Sequence, residues 1–509
     1  MINWKRKLIE TMTRKKYKSF IQDTLYPEQA RARLWQNEIL PLLQQSAYWS
    51  PIIKEQGTEL NDFAITSYAT YREGLIAAQQ SQTQPFNGEK VIFWSETSGT
   101  TSVDRKLFPI TQSFQNQFQR TMPPFIYNMT QRFAGFFKEK LVYLVAVDTG
   151  KTTPAGTPMG WISNYNYRNL PSLVKKFYAL PDAVFADSEA YKQWAPLYAL
   201  ASDLNAFFAV TPMVIDMFYQ QCCENLNDYL PYLLGEKTLP EPLPPLKISK
   251  KRQRHLLSLA KKADYTFKDL WPTLLFVGCW ISGLCEYPAQ QLKKQLGEGV
   301  ALIDGAYSAT EGWMTVPLDD QPGGFLHPGA HIVEFIEEGK DFLKENILQS
   351  WELELGKNYE IFLTTAMGFV RYQLNDVVKC VGFLNKAPRL TFCYKAQQLQ
   401  LENCIVSGQD LQQMMDETDF NMEAHWYFAR NSQGNKIVLV TDDGVDIPDS
   451  MLIKMDERLG QISPPYAQGM ASQHILPMAL LQISATELLA DHHAQKKPKL
   501  ISSQVIIER

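Results

Sequence analysis

Three apolar runs in this chain each give way at once to a polar, turn-forming stretch. Val91-Ile92-Phe93-Trp94 reads as a buried strand. It is followed by Ser95 to Thr101, almost all small, hydroxylic or Gly, then by Arg105-Lys106 and an apolar restart. Val300 to Ile303 is strand-like and runs into Asp304-Gly-Ala-Tyr-Ser-Ala-Thr-Glu-Gly312. A third strand ends in a stretch from Leu363 to Val377 that carries Arg371 and Asp376. Three polar loops after apolar strands fit one site at the strand ends of an α/β sheet.

The first loop has the chemistry of an anion cradle. Thr97, Ser98, Thr100, Thr101 and Ser102 offer hydroxyl donors, and Gly99 allows φ > 0 and close backbone approach. Successive backbone N–H groups in such a turn make a concave anion site, to which Arg105 and Lys106 add charge. This suits nucleotide phosphates. Neither G-x-x-x-x-G-K-[ST] nor G-x-G-x-x-G is present. On composition alone a Ser/Thr-rich surface loop competes with this reading.

The 509 residues suffice for two or more domains. With 45% hydrophobic and 20% charged residues the composition is that of an ordinary globular protein. A net charge of −4 gives no global basic excess for nucleic acid. Seven cysteines without a C-x-x-C pair fit packing thiols in a reducing cytoplasm, not a zinc site. No run approaches the roughly 20 apolar residues of a membrane-crossing helix. The basic start, MINWKRKLIETMTRKKYKSF, reads as the solvated face of a first helix and lacks a secretory apolar core.

Taken in order, residues 2 to about 50 read as helical, broken at Pro27 and Pro41. Residues 60–80 read as a further helix. Thr111 caps another, with Phe114, Phe118 and Met122 on one face. Leu141 to Val147 is a buried strand. Residues 148–170 are expected to form a long loop holding part of the substrate pocket. Residues 185–230 read as mostly helical, with Leu197, Leu200, Leu204, Phe207 and Phe208 on an apolar face. Residues 235–254 read as a Pro-rich surface insertion with a basic cluster, Lys247, Lys250, Lys251, Arg252 and Arg254. Strands return at 274–277, 300–303, 331–336, 359–364 and 377–383.

The wording of the three loops resembles one family. Thr97-Ser-Gly-Thr-Thr-Ser-Val-Asp-Arg-Lys-Leu-Phe-Pro109 is similar to S-S-G-T-S-G-G-E-R-K-L-M-P. Tyr307-Ser-Ala-Thr-Glu311 is similar to Y-x-S-S-E, and Val370-Arg-Tyr-Gln-Leu-Asn-Asp-Val377 to Y-R-Y-x-x-G-D-V. The Leu270-Trp-Pro272 step with Gly283, and Gln495-Lys-Lys-Pro-Lys499 near the end, add to the likeness. Together they resemble the plant auxin-responsive acyl-acid amido synthetases and their bacterial relatives, of the adenylate-forming superfamily with acyl-CoA synthetases and luciferases.

The resemblance implies an α/β fold: a large N-terminal domain of mixed sheets flanked by helices, a hinge, and a small α+β C-terminal domain. The expected division is 1–390 for ATP and acid binding and 391–509 for the mobile domain. It implies ATP-dependent adenylation of a small carboxylic acid, then transfer of the acyl group to an amine such as an amino acid. A thiol acceptor, or an ATP-binding protein with little turnover, are the alternatives. Ser98, Gly99, Thr100 and Thr101 would hold phosphates with Thr97, Thr310, Arg105 and Lys106. Glu311 would hold Mg²⁺, Asp376 the ribose hydroxyls, Tyr307 the adenine, and Arg371 the nucleotide; Lys497 would approach the phosphates. Small-molecule partners, no nucleic acid, no membrane, and a monomer or weak dimer in the cytoplasm complete the expectation. The chain departs from the pattern at Ser102, Val103, Ala309 and Asn375, and shows no match near 401–407 for a lysine carried after the hinge.

Overall fold

The computed structural model describes residues 4–81, 85–97, 106–262, 264–396, 398–402, 404–418, 426–484 and 501–506. At its centre a four-stranded parallel sheet runs Lys140–Tyr143, Leu204–Phe208, Phe276–Cys279, Ala301–Asp304. Parallel strands are covered on both faces, so they read as short continuous apolar runs. Val142, Phe207 and Val277 face Leu197, Leu200 and Trp271 on one side. Leu141, Ala206, Phe276 and Ile303 face Phe125, Met129 and Phe20 of the flanking helices on the other.

Beside it lies a seven-stranded antiparallel sheet in the order Thr315–Val316, Gly324–Leu326, Ala387–Lys395, Tyr372–Leu384, Asn358–Thr364, Ile332–Glu337, Leu348–Gln349. A smaller mixed sheet orders Leu107–Ile110, Phe93–Glu96, Pro158–Gly160, Lys151–Thr152. The C-terminal part carries a fourth, Leu476–Ile483, Lys436–Asp442, Trp426–Asn431, Ile501–Ile506, with helices Gly408–Glu417 and Asp449–Ile462. The chain is therefore α/β with mixed sheets, as expected. Among the described residues, no helix is long and apolar enough to cross a membrane.

Several local expectations are corrected. Residues 148–170 are not a loop: they form the hairpin Lys151–Thr152/Pro158–Gly160 and the helix Ile162–Arg168. Leu204, Phe207 and Phe208 lie on a strand, because the helix Ser188–Ala201 ends at Ser202; a short apolar run has the same look in either state. The strand at Leu141 stops at Tyr143. Pro41 does not break its helix. A π-helical turn, Trp35–Ile39, precedes it, and Pro41 occupies the first turn of Leu40–Gln45. Arg252 is not part of the basic surface. It is buried, donates to Leu200 O at 2.8 Å and also to Leu270 O, satisfying carbonyls at two helix C-termini. Burial pulls its guanidinium down to about 10. The expected division after residue 390 falls inside Ala387–Lys395, which stays paired with Tyr372–Leu384 as far as Asp376↔Lys395.

One buried ion pair ties the long antiparallel sheet to the N-terminal helices. The Arg371 guanidinium reaches Glu334 Oε2 at 2.9 Å and Oε1 at 3.0 Å, with both side chains almost fully buried. Its remaining donors go to Phe63 O at 3.0 Å and Asn61 Oδ1 at 2.9 Å. Removing Arg371 leaves the buried Glu334 with only the partly exposed Arg31, at 3.1 Å, as its ion-pair partner, and removing Glu334 leaves the Arg371 guanidinium buried without a carboxylate. Arg371→Met should therefore cost about 3–5 kcal/mol, read as urea unfolding. The double variant Arg371→Met/Glu334→Leu should recover part of it, and a loss no larger than that of a surface ion pair would contradict this role.

Two buried histidines give a second expectation. His331 Nε2 accepts from Trp313 N at 3.4 Å, and His327 Nδ1 from Gly329 N at 3.1 Å. Burial, then Arg120, pushes both imidazoles down to about 3. The unfolded chain takes up these protons near pH ~6.5 while the folded one does not. Their stabilisation is thus present above that value and lost as pH falls toward about 3. Urea unfolding across this range should show falling stability, and His331→Phe should flatten the dependence. An unchanged slope in His331→Phe would contradict the assignment.

Candidate functional site

The strand ends of the parallel sheet and one edge of the antiparallel sheet enclose a cavity of about 870 Å³. Thr97, Lys106, Tyr307, Thr310, Glu311 and Asp376 all line it. Ser98, Gly99, Thr100, Thr101, Arg105 and Lys497 lie outside the described residues. Arg371 does not line the cavity; its donors are consumed by Glu334, Phe63 and Asn61, and its role is architectural.

Asp376 is the focus. Contrary to the loop reading, it lies within the strand Tyr372–Leu384, where the backbone turns left-handed at Asn375 (φ 55°). Asn tolerates that conformation better than most residues. The buried Asp376 carboxylate accepts from Tyr307 Oη at 2.7 Å on one oxygen and pairs with Lys395 Nζ on the other. Tyr307 is held by its own N–H to Thr315 Oγ1 at 2.8 Å and lies nearly parallel to Phe392, ring centroids 6.2 Å apart. Burial, then Asp376, pushes its phenol well above the usual range. Ala306 before it has φ 70°, and Trp280 Nε1 donates to its carbonyl at 2.7 Å. Left-handed non-glycine residues directly before both Tyr307 and Asp376 are the strain expected where a site is over-determined by its surroundings.

Charges of both signs share the space. Burial lowers the Lys106 ammonium against the partial support of Glu311. Burial raises the Glu311 carboxyl against the pull of Lys395 and Lys106. Lys395 is raised: burial alone would lower it, but Asp376 and Glu311 more than offset this. Lys106 also sits 5.4 Å from the Tyr68 ring centre, and its carbonyl accepts from Thr97 N at 3.0 Å. This fixes both ends of the first polar loop. Two lysines against two carboxylates suit a phosphate-bearing ligand that brings its own cation. Among the described residues no cluster of three His, Cys, Asp or Glu forms a ready metal site. Glu311, which lines the cavity, offers the carboxylate oxygen that a hard cation prefers.

Lys395 is the residue that the sequence reading missed. It ends the strand Ala387–Lys395, ahead of the stretch where a lysine was sought, and only its charge after the alternating Leu390, Phe392 and Tyr394 marks it. Gly283 explains how that strand end is packed. At φ 57°, a Cβ there would lie 2.6 Å from Phe392 O, so only glycine lets the turn Gly283–Cys285 press against it.

The other lobe of the cavity is apolar. Phe118, Met122, Phe125, Ile126 and Phe208 line it, with Ile162, Ser163 and Asn166 from the helix that replaces the expected loop. Of the aromatic residues in or near these elements, Phe125 lines the cavity. Tyr127 packs on Tyr17 at 4.6 Å and Tyr165 on Phe93 at 4.4 Å, Tyr167 bonds Leu180 O, and Trp161 is buried outside the lining.

Comparison with known proteins gives the family. The GH3 family N-terminal domain matches residues 16–300, and the GH3 family central domain matches residues 324–395. Probable indole-3-acetic acid-amido synthetase GH3.6 of Oryza sativa subsp. japonica is 28% identical over 159 residues, 29% of this chain and 33% of that protein. Jasmonoyl--L-amino acid synthetase GH3.5 of the same organism is 28% identical over 210 residues, 36% of each. The chain thus spans about a third of the length of these curated relatives. A solved structure, AtGH3.15 acyl acid amido synthetase in complex with 2,4-DB, shares the fold with a TM-score of 0.73 at 15% identity, over 96% of this chain and 94% of that one. By its matching domains, this chain belongs to the GH3 family.

Proposed function

We propose that this chain is an ATP-dependent acyl-acid amido synthetase, acting on small-molecule substrates in the cytoplasm as a monomer or weak dimer. The observation that carries the reading is the convergence of Asp376, Tyr307, Lys395, Glu311 and Lys106 on one cavity with an apolar lobe, in a GH3 chain. The relatives' names supply the reaction class. All seven cysteines are free thiols, in keeping with a reducing compartment.

In the first step a carboxylate oxygen of the acid forms a bond to the α-phosphorus of ATP, and pyrophosphate departs with the electrons of the broken P–O bond. Two anions must be brought together, so the chain's task is positioning and charge compensation. Ribose hydroxyls on Asp376 would compete with Lys395 for the same carboxylate, releasing Lys395 toward the phosphates beside Lys106. Tyr307 would flank the adenine, and Thr97 and Thr310 would donate to phosphate oxygens, with Ser98, Gly99, Thr100, Thr101 and Arg105 continuing the cradle. Glu311 would hold Mg²⁺, which supplies charge neutralisation at the phosphates when bound. The acid's apolar body would enter the lobe lined by Phe118, Met122 and Phe125. In the second step an amine nitrogen bonds to the acyl carbon, the C–O bond to AMP breaks, AMP leaves with that pair, and the nitrogen sheds a proton. The small mobile domain, expected over 391–509, would bring Lys497 to the phosphates.

The test is pyrophosphate release with ATP and Mg²⁺ across a panel of carboxylic acids, with and without pooled amino acids. Release should depend on an acid, and an amide and AMP should form when amines are added. Glu311→Gln and Lys395→Met should each lower turnover by about a hundredfold; Glu311→Gln should leave thermal unfolding nearly unchanged, whereas Lys395→Met, which takes the ion-pair partner from the buried Asp376, should also lower it. Full turnover in both variants would contradict the site.

The pH profile follows from the shifts. Glu311 must be ionised, so its raised carboxyl moves the acid limb above the ordinary carboxylate range. Lys106 must be protonated, so its lowered ammonium moves the alkaline limb below the ordinary lysine range. Lys106→Arg, which stays charged, should push the alkaline limb to higher pH. An alkaline limb unmoved by that substitution would exclude Lys106 as its source.

A further inference from the structure

The cavity leaves two sequence features without a role: the basic start and the basic segment near residue 250. The first of them also carries an exposed apolar face. The first helix, Trp4–Leu25, packs against Met122–Arg132 through its inner face, where Phe20 is fully buried and Tyr17 meets Tyr127. Its outer face carries Trp4, Leu8 and Met12, exposed by 67%, 42% and 62%. At about 100° per residue these three fall within an arc of about 80°, directly opposite the packed face. Lys5 and Lys16 border the stripe on one side and Lys7 and Lys18 on the other. The helix holds seven basic and two acidic residues, a net of +5, on a chain whose net charge is −4.

The positive surface continues past the helix. Lys140, exposed, has its ammonium lowered first by burial and then by the charges of Lys5 and Lys247. Glu139, raised by burial and Asp203, has Lys138, Lys5 and Lys251 around it as partial compensation. Lys5 of the basic start thus acts on the same two groups, Glu139 and Lys140, as Lys247 and Lys251 do, while the exposed face of the helix Trp4–Leu25 holds the apolar stripe itself.

We propose that this face docks the protein on an anionic lipid surface, with Trp4, Leu8 and Met12 entering the headgroup boundary and the flanking lysines meeting lipid phosphates and carboxylates. An apolar stripe with Trp, bordered by Lys on both sides, is the make-up of an interfacial helix. Lysine stems reach along the apolar band while their ammonium groups stay in the headgroup layer. A nucleic acid would satisfy the lysines and leave Leu8 and Met12 in water. A second copy of the chain would bring +5 against +5. The absence of a crossing helix among the described residues concerns spanning by a helix, not adsorption.

The test uses the full chain and flotation with phosphatidylcholine vesicles, with and without phosphatidylserine, at low and high salt. Binding is expected only to the phosphatidylserine vesicles and should be lost at high salt. Trp4→Ser/Leu8→Ser/Met12→Ser should weaken it by at least about tenfold, with circular dichroism and cavity-dependent turnover unchanged. Lys5→Gln/Lys7→Gln/Lys16→Gln should remove the preference for phosphatidylserine. No binding to anionic vesicles, or binding indifferent to the apolar triple variant, overturns the proposal. So does a change of oligomeric state in that variant, which would assign the face to a second copy. Salt-sensitive binding of an oligonucleotide in place of vesicles would assign it to nucleic acid and equally overturn it.

Discussion

The Asp376 carboxylate is the interaction on which the site depends. It is buried, and its two oxygens are taken by Tyr307 and Lys395, which come from opposite ends of the fold's central region. Tyr307 follows the last strand of the parallel sheet, and Lys395 ends a strand of the antiparallel sheet. One carboxylate thereby joins the two sheets at the point where the cavity opens. A buried charge is tolerated only when paired and hydrogen-bonded, so each partner holds the other two in place. The arrangement is also ready to change. A ligand with two hydroxyl donors satisfies the same oxygens and frees an ammonium beside Glu311 and Lys106.

The supporting framework is stiffer than the site. Arg371, only five residues before Asp376, is locked to Glu334 by two bonds and to the Asn61–Phe63 turn by two more. That lock fixes the start of the strand Tyr372–Leu384 and so the height at which Asp376 emerges. Gly283 fixes the end of the neighbouring strand from the other side. Arg and Asp of one motif therefore divide the labour: the first anchors the strand, the second faces the cavity.

Much of this is legible in the sequence, because it rests on local pattern. Apolar runs followed by Gly, Ser, Thr and Asp announce strand ends, and Thr97, Lys106, Tyr307, Thr310, Glu311 and Asp376 do converge there. What was not legible depends on long-range contacts. Nothing in Val370-Arg-Tyr says that Arg371 will meet a carboxylate at Glu334 across the sheet. Nothing near Tyr394-Lys395 says that the lysine turns back to Asp376. Leu204 to Phe208 looks helical because five residues, four of them apolar around Asn205, have no clear period of their own, and only parallel neighbours on both sides make it a strand. Arg252 looked like surface because the two helix ends that it satisfies are distant in sequence.

The most direct measurement is a calorimetric titration of ATP with Mg²⁺ into the wild-type chain and into Asp376→Asn. A nucleotide seated on Asp376 requires the variant, which keeps the side chain's size and loses its charge, to bind at least about tenfold more weakly. Its thermal unfolding should stay close to wild type. Equal affinity in the two chains would mean that the nucleotide sits elsewhere and that Asp376, Tyr307 and Lys395 form only a structural joint between the sheets.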